Sequence, residues 1–350
     1  MKYDLIAPTS MGVRLTPPDR QPCGMGHEYL MYATSAESNV LNVSASLGLA
    51  TLALTGFVKG SPIAAFIKGE LRRRNIAFTG PEFDQGGPWG YRHQFNIADA
   101  GFGARGPRVH NDRAGELGRI LTAKHFDLEG LFAGGVRMVH LSGLFAALSE
   151  ETAAFCVELA ETAKRHGAQV SFDLNYRASF WKGREQALRE AFSSIARVTD
   201  VLIGNEEDFQ LALGIRGPEA GGRDIGDSFG EFRAMIDEAR KAYPNARVFA
   251  TTLREVADAN RHLWGAILWK DGEWHEAPQR EIAVLDRIGG GDGFVGGLLY
   301  GLLRDWPGEK CLHFAWATGA MAVTMIEDYA SPADEGQVMA VWEGNARVVR

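Results

Sequence analysis

The chain is poor in the groups that hold structural metals or disulfides. Its three cysteines, Cys23, Cys156 and Cys311, lie far apart and form no C-x-x-C pair. That excludes a disulfide framework and zinc spacing, and points to a reducing compartment. The nine histidines show neither H-E-x-x-H nor any other ligand spacing, so each reads as an ordinary surface or core side chain. No run of about 18 apolar residues occurs, and the N-terminal MKYDLIAPTSMGVRL has no long apolar stretch, so a cytoplasmic protein without membrane partners is expected. No basic stripe dominates and the formal net charge is −7, which argues against a nucleic-acid footprint. The P-loop pattern G-x-x-x-x-G-K-[ST] is missing too.

What is present is ordinary in bulk and specific in detail. Apolar residues make up 45% of the chain and charged residues 23%, the proportions of a globular protein. Its 350 residues accommodate one large α/β domain or two smaller ones. From residue 139 onward, short apolar runs (139–143, 170–175, 200–205, 247–253, 264–269) alternate with amphipathic stretches near 150–166, 184–196, 206–213 and 229–242. Apolar runs without polar alternation predict strands buried on both faces, and interleaved helices predict a parallel, doubly wound sheet. Further helices are expected near 292–304, 308–325 and 334–346, and in the first third near 39–48 and 61–75. Two segments, about 9–35 and 82–115, are rich in Gly, Pro, aromatics and polar residues. They predict extended chain pairing into a small sheet that stands off the body as a lid.

Several short motifs fall at the ends of these runs. Gly101–Gly106, GFGARG, matches G-x-G-x-x-G, but no buried strand precedes it and Pro107-Arg108 follows where a helix should open, so it reads as a glycine-rich loop. In DRIGGGDGFVGGLLYGLL (286–303) three glycines precede an aspartate at the start of a helix. Helix N-termini expose unpaired N–H groups and partial positive charge. Gly289, Gly290 and Gly291 let that backbone approach a phosphate as an anion hole, with Asp292 placed to accept a proton. A turn followed by a capping aspartate would satisfy the same residues. Asn205 to Asp208 follow the run DVLIG, either as a capped helix start or as polar groups orienting hydrated Mg²⁺ on a nucleotide. Arg177, in DLNYR at another strand end, suits either a bidentate clamp on phosphate or carboxylate, or a surface salt bridge. Arg113, in NDRAG, offers a second cation as the chain leaves the proposed lid.

Taken in order along nearly the whole chain, these segments resemble the ribokinase-like (PfkB) carbohydrate kinases, and most closely the 2-keto-3-deoxygluconate kinases. DRIGGGDGF is similar to the family's glycine-rich signature, VSFDLNYRASFW to its DxNxR strand end, and VLIGNEEDF to its nucleotide-metal segment. NDRAGELG resembles the substrate arginine segment and ATTLREVADANRHLWGA the nucleotide-side strand. The stretch Ala317 to Ser331 resembles the part that closes over sugar and nucleotide. The resemblance implies one ribokinase-like α/β domain over residues 1–350, with a mostly parallel sheet flanked by helices and a small β lid. It implies ATP-dependent transfer of a phosphoryl group to the terminal primary hydroxyl of 2-keto-3-deoxygluconate or a related sugar acid. Asp292 would be the base and Gly289–Gly291 the anion hole. Ser35, Asn39, Asn111, Arg113, Arg177 and Asp328 would face the sugar, with Arg113 at its carboxylate. Asn205, Asp208, Thr252, Arg254 and Gly291 would face ATP, with Mg²⁺ held through phosphates and water near Asn205 and Asp208. Such lids often pair between subunits, which implies a homodimer.

Departures from the family pattern fall on the sugar side. Thr34-Ser35 stands where two glycines usually precede A-x-x-N, here Ala36-Glu37-Ser38-Asn39; side chains there are expected to narrow or reshape the pocket. The early strand end reads Ala7 to Gly12 in place of a Gly-Glu pair. Asn111 replaces a tyrosine, and on the nucleotide side Arg254 replaces a glycine. These leave two rivals open: a kinase for another sugar, such as a ketohexose or a nucleoside, and a sugar-binding paralogue with attenuated chemistry. A nicotinamide oxidoreductase resting on GFGARG is the more distant third.

Overall fold

The computed structural model describes residues 2–219 and 229–347. The main sheet has nine strands in the spatial order Glu273–Ala283, Arg261–Lys270, Val248–Asp258, Val201–Ile203, Gln169–Asp173, Val136–Ser142, Tyr3–Pro8, Thr51–Leu54, Ile76–Thr79. Neighbours from Ile76–Thr79 across to Val248–Asp258 pair in parallel. Period-2 geometry sends successive side chains to opposite faces. Ile6, Val139, Leu141, Phe172 and Leu202 accordingly enter one core, and Leu5, Ala7, Met138, Val201 and Ile203 the other. Because both faces are covered, neither set needs a polar partner, which is why these strands read as continuous apolar runs.

Helices Glu150–Arg165, Glu185–Val198 and Phe229–Ala242 close the first core through Phe155, Phe192 and Ile236. Helices Ala36–Ser46, Gly290–Leu303 and Gly308–Ala322 close the second through Val40, Phe294 and Phe314. The chain winds outward in both directions from the central pair Tyr3–Pro8 and Val136–Ser142. In open α/β sheets that switch point is where a crevice opens beyond the strands' carboxyl ends.

A second, four-stranded sheet runs Leu30–Thr34, Gly12–Thr16, Phe95–Asp99, Arg108–Asp112. All four strands fall within the two segments expected to extend off the body. Glu82–Phe83, in the same region, instead pairs with Phe57–Val58. At the other end of the main sheet the topology departs from the parallel expectation. Val248–Asp258, Arg261–Lys270 and Glu273–Ala283 form an antiparallel meander. The turn between the last two carries positive φ at Asp271 (50°) and Gly272 (98°), the backbone a tight Asp-Gly hairpin needs. That dipeptide was the available signal for the unread edge strand. The loop Gly101–Gly106 is a turn joining two strands of the small sheet, with neither buried strand nor helix beside it in dinucleotide-binding order.

Candidate active site

The three glycines have three different tasks. Gly289 adopts φ 85°, and a Cβ there would lie 1.8 Å from the Asp328 carbonyl oxygen. Only a residue without a side chain fits both conditions. A Cβ on Gly290 would meet Val323 at 2.7 Å, so this residue is pressed against the core. Gly291 faces open space and lines a cleft of about 720 Å³ at the carboxyl ends of the parallel strands. The helix Gly290–Leu303 has no side-chain cap at Gly289, so its first N–H groups are left for a ligand or water.

Asp292, in the first turn, is half-buried and accepts a hydrogen bond from Asn39 Nδ2 at 2.9 Å. Burial is the main reason its pKa is pushed up to about 7. The Asn39 hydrogen bond opposes that rise, the fields of Glu37 and Asp328 add to it, and Arg177 opposes it. A carboxylate poised near neutrality has the basicity suited to taking a hydroxyl proton.

Two further carboxyls share this end of the cleft. Asp208 is raised to about 6, chiefly by burial. Asp173 is raised well above its ordinary value, by burial first and then by the fields of Asp208 and Asp292. Asn205 and Asp208 form a reciprocal cap: Asp208 N–H donates to Asn205 Oδ1, and Asn205 N–H to Asp208 Oδ2, both at 2.8 Å. Tyr176 N–H takes the other Asp208 oxygen at 2.8 Å. The capping alternative is thus realised. Among the described residues no three His, Cys, Asp or Glu side chains converge as a metal-holding group. The crowded acids nonetheless fit a hydrated Mg²⁺, which keeps its waters and takes few protein ligands.

Arg177 lines the cleft and is exposed; its guanidinium donates to the Tyr176 carbonyl at 2.7 Å. Among the described residues it has no salt bridge, so the ion-pair alternative is not what the structure holds. Arg113 also lines the cleft. It is braced by Glu116 at 2.6 Å, itself bonded to Ser10 at 2.5 Å, and its guanidinium lies 5.1 Å from the centre of the Phe180 ring. Thr252 and Arg254 also line the cleft.

The sugar-side departures take an unexpected course. Thr34 and Ser35 are buried and bonded inward: Thr34 Oγ1 donates to Asp328 Oδ2 at 2.8 Å, while Ser35 caps Ser38 N–H and bonds Thr9 at 2.7 Å. Arg14 holds the other Asp328 oxygen. Asp328 therefore has both carboxylate oxygens engaged within the protein, although it borders the cleft. Asn111 is exposed on its strand and pairs in register with Asn96.

Four residues escaped the sequence reading. Gln94 and Asn96 line the cleft with their carbonyl oxygens buried and unpartnered; the alternation in Gln94-Phe95-Asn96 placed them on one strand face. Glu37 lies inside the A-x-x-N segment, and its Oε2 accepts from Thr9 at 2.7 Å. Arg287, just before the glycines, also lines the cleft.

The profile of the pfkB family carbohydrate kinases matches residues 27–334. The chain is 26% identical over 332 residues to the 2-dehydro-3-deoxygalactonokinase of Haloferax volcanii, covering 94% of each protein. Its fold is similar to the 2-dehydro-3-deoxygluconokinase crystal structure from Thermotoga maritima, with TM-score 0.87, 26% identity and coverage of 98% and 99%. A putative 2-keto-3-deoxygluconate kinase from Enterococcus faecalis superposes with TM-score 0.85 at 26% identity, covering 99% of each chain.

Proposed function

The chain belongs to the pfkB family of carbohydrate kinases, and from that premise we propose that it transfers the γ-phosphoryl group of ATP to the terminal primary hydroxyl of a 2-keto-3-deoxy sugar acid. The observation that carries the proposal is Asp292, with pKa near 7, beside the open main chain of Gly291. In this reading the acceptor hydroxyl oxygen attacks the γ-phosphorus, Asp292 takes its proton, and the bond to the leaving ADP oxygen breaks. Phosphoryl transfer asks mainly for positioning and charge neutralisation. Gly291 and its helix N-terminus supply the neutral donors, and Arg177 the charge. Mg²⁺, when bound with the nucleotide, would be held through phosphates and water near Asn205 and Asp208, with Asp173 on the same cleft wall, and would neutralise phosphate charge. Arg113, braced and half-buried, suits a sugar carboxylate. Asn39, Asn111 and the oxygens of Gln94 and Asn96 suit hydroxyls.

Ser35 and Asp328 fit this proposal as scaffold, since their side chains are engaged elsewhere. Exposed Tyr29, Leu30, Met31 and Val109 on and beside the small sheet support pairing of two copies through it, which light scattering measures. The test of function is ADP release measured with 2-keto-3-deoxygluconate, its galacto epimer, ketohexoses and nucleosides. Turnover is expected with the sugar acids and should fall by about 10²–10⁴ in Asp292→Asn, the range a general base contributes. Unchanged turnover in that variant would remove Asp292 from the chemistry. Turnover confined to neutral sugars would favour the ketohexose or nucleoside alternative. Sugar binding without turnover would favour the attenuated paralogue.

A further inference from the structure

Arg74 closes the helix Pro62–Arg73 and is only 5% exposed. Among the described residues no carboxylate lies within salt-bridge distance of it, since Glu70 pairs with Arg73 at 2.7 Å and Asp328 with Arg14. A buried guanidinium without a counter-ion is costly unless its N–H groups are met. Neutral oxygens meet them here. Nε donates to Asn42 Oδ1 at 2.8 Å and Nη1 to the Ala33 carbonyl at 3.4 Å. Nη2 donates to the Ser38 carbonyl at 2.7 Å and to Asn39 Oδ1 at 3.5 Å. The guanidinium also lies 3.8 Å from the centre of the Tyr329 ring, a cation–π contact.

Asn39 and Asn42 stand one turn apart on the helix Ala36–Ser46, so a single planar fork reaches both. Each turns its amide oxygen to Arg74, which leaves its amide nitrogen for another partner. Asn39 Nδ2 donates to Asp292 at 2.9 Å. Asn42 Nδ2 donates to the Ala330 carbonyl and to Ser331 Oγ, both at 2.7 Å. An asparagine amide has donors at one end and an acceptor at the other. Reversing Asn39 would set its NH₂ against the guanidinium and its oxygen against the Asp292 carboxylate, two repulsive contacts in place of two attractive ones. Arg74 does not line the cleft, whereas Asn39 and Asp292 do.

We propose that Arg74 is a positioning residue for the transfer reaction: from outside the cleft it fixes the Asn39 amide with its N–H aimed at Asp292, and ties that amide to the segment that carries Asp328. The proposal rests on Asp292 acting as the base. The Asn39 hydrogen bond favours the ionised carboxylate, the form that can take a proton. Lysine would keep the positive charge of Arg74 but not the fork, because one ammonium cannot reach oxygens spread over Asn39, Asn42 and two carbonyls.

The test is carboxyl ¹³C NMR titration of Asp292 in the full chain, for the wild type, Arg74→Lys, Asn39→Leu and the double variant. The charged groups facing Asp292, which are Glu37, Asp328, Asp173 and Arg177, stay the same in all four. Arg74→Lys should move the midpoint to higher pH by about 0.5–1 pH unit, the size that loss of one net hydrogen bond implies. The acidic limb of kcat/KM should move with it. Asn39→Leu should act in the same direction, and adding Arg74→Lys to it should produce no further movement. A merely structural arginine would lower the thermal midpoint and leave the Asp292 titration in place. If Arg74→Lys does not fold, Asn42→Ala, which removes only the Nε acceptor, should give a smaller movement of the same sign. A wild-type titration in the folded variant overturns the proposal, as does a movement that adds in full to that of Asn39→Leu. Should Asp292 titrate as stated while no sugar is phosphorylated, the positioning role of Arg74 stands and the kinase reading falls.

Discussion

Asp292 sits between opposed influences, and each can be removed separately. Asn39 favours its charged form through a hydrogen bond, whereas Glu37 disfavours it through its field. The base must be ionised to act, so activity should rise with pH through the Asp292 pKa. Glu37→Gln should move the acidic limb of the kcat/KM profile to lower pH, and Asn39→Leu should move it to higher pH. Movement in the same direction for both would contradict this account. The sign for stability is opposite to that of a paired carboxylate. A folded pKa near 7 against an unfolded value near 3.9 penalises the native state once pH exceeds about 4, and the penalty is complete above about 7. In the proposed role, burial gives Asp292 the basicity of a general base while making the fold less stable above neutral pH.

At the scale of the element, the helix Gly290–Leu303 begins on a hinge whose glycines are not equivalent. Gly289→Ala places a methyl group against the Asp328 carbonyl with φ at 85°, so it should lower the thermal midpoint and disturb the site together. Gly291→Ala meets nothing within 4 Å. It should retain wild-type stability while losing turnover, because its methyl group would project where phosphate must lie. Thermal melts alongside kinetics separate the two, and a stable, fully active Gly291→Ala protein would show that no ligand approaches that main chain. The triplet in the sequence signalled a close approach, but its division into hinge, packing contact and open wall depends on which atoms the tertiary fold brings to each position.

Across the whole molecule, Arg14 ties the small sheet to the body. Lying on the strand Gly12–Thr16, it is fully buried and bonds Asp286 and Asp328, carboxylates from the two loops that meet at Gly289. Those acids repel each other without it, and Asp286 is raised by burial even with it present. Removing one partner from a buried ionic cluster costs about 3–5 kcal/mol. Arg14→Met should show a loss of that order in chemical denaturation, recovered in part by adding Asp286→Asn and Asp328→Asn. An undiminished unfolding free energy would show that the clamp contributes nothing to holding sheet and body together. Among the described residues no helix is long and apolar enough to cross a membrane.

Much of the architecture was legible because one-dimensional patterns reported it. Apolar runs such as 139–143 and 170–175 marked strands covered on both faces, and the glycine triplet with Asp292 marked a helix start that lines the cleft. The antiparallel meander was less so, since Glu273–Ala283 is an edge strand, mostly half-buried or exposed, and gives no apolar run. What the amino-acid sequence determined by itself was the family and the parallel layering, because these depend on local spacing. The tertiary structure alone decided which charges are free. Arg14, some 272 residues away in sequence, claims Asp286, and Thr34 and Arg14 together occupy Asp328. Whether a charged group awaits a ligand depends on what lies within a few ångströms of it, and that distance is set only when the chain is folded.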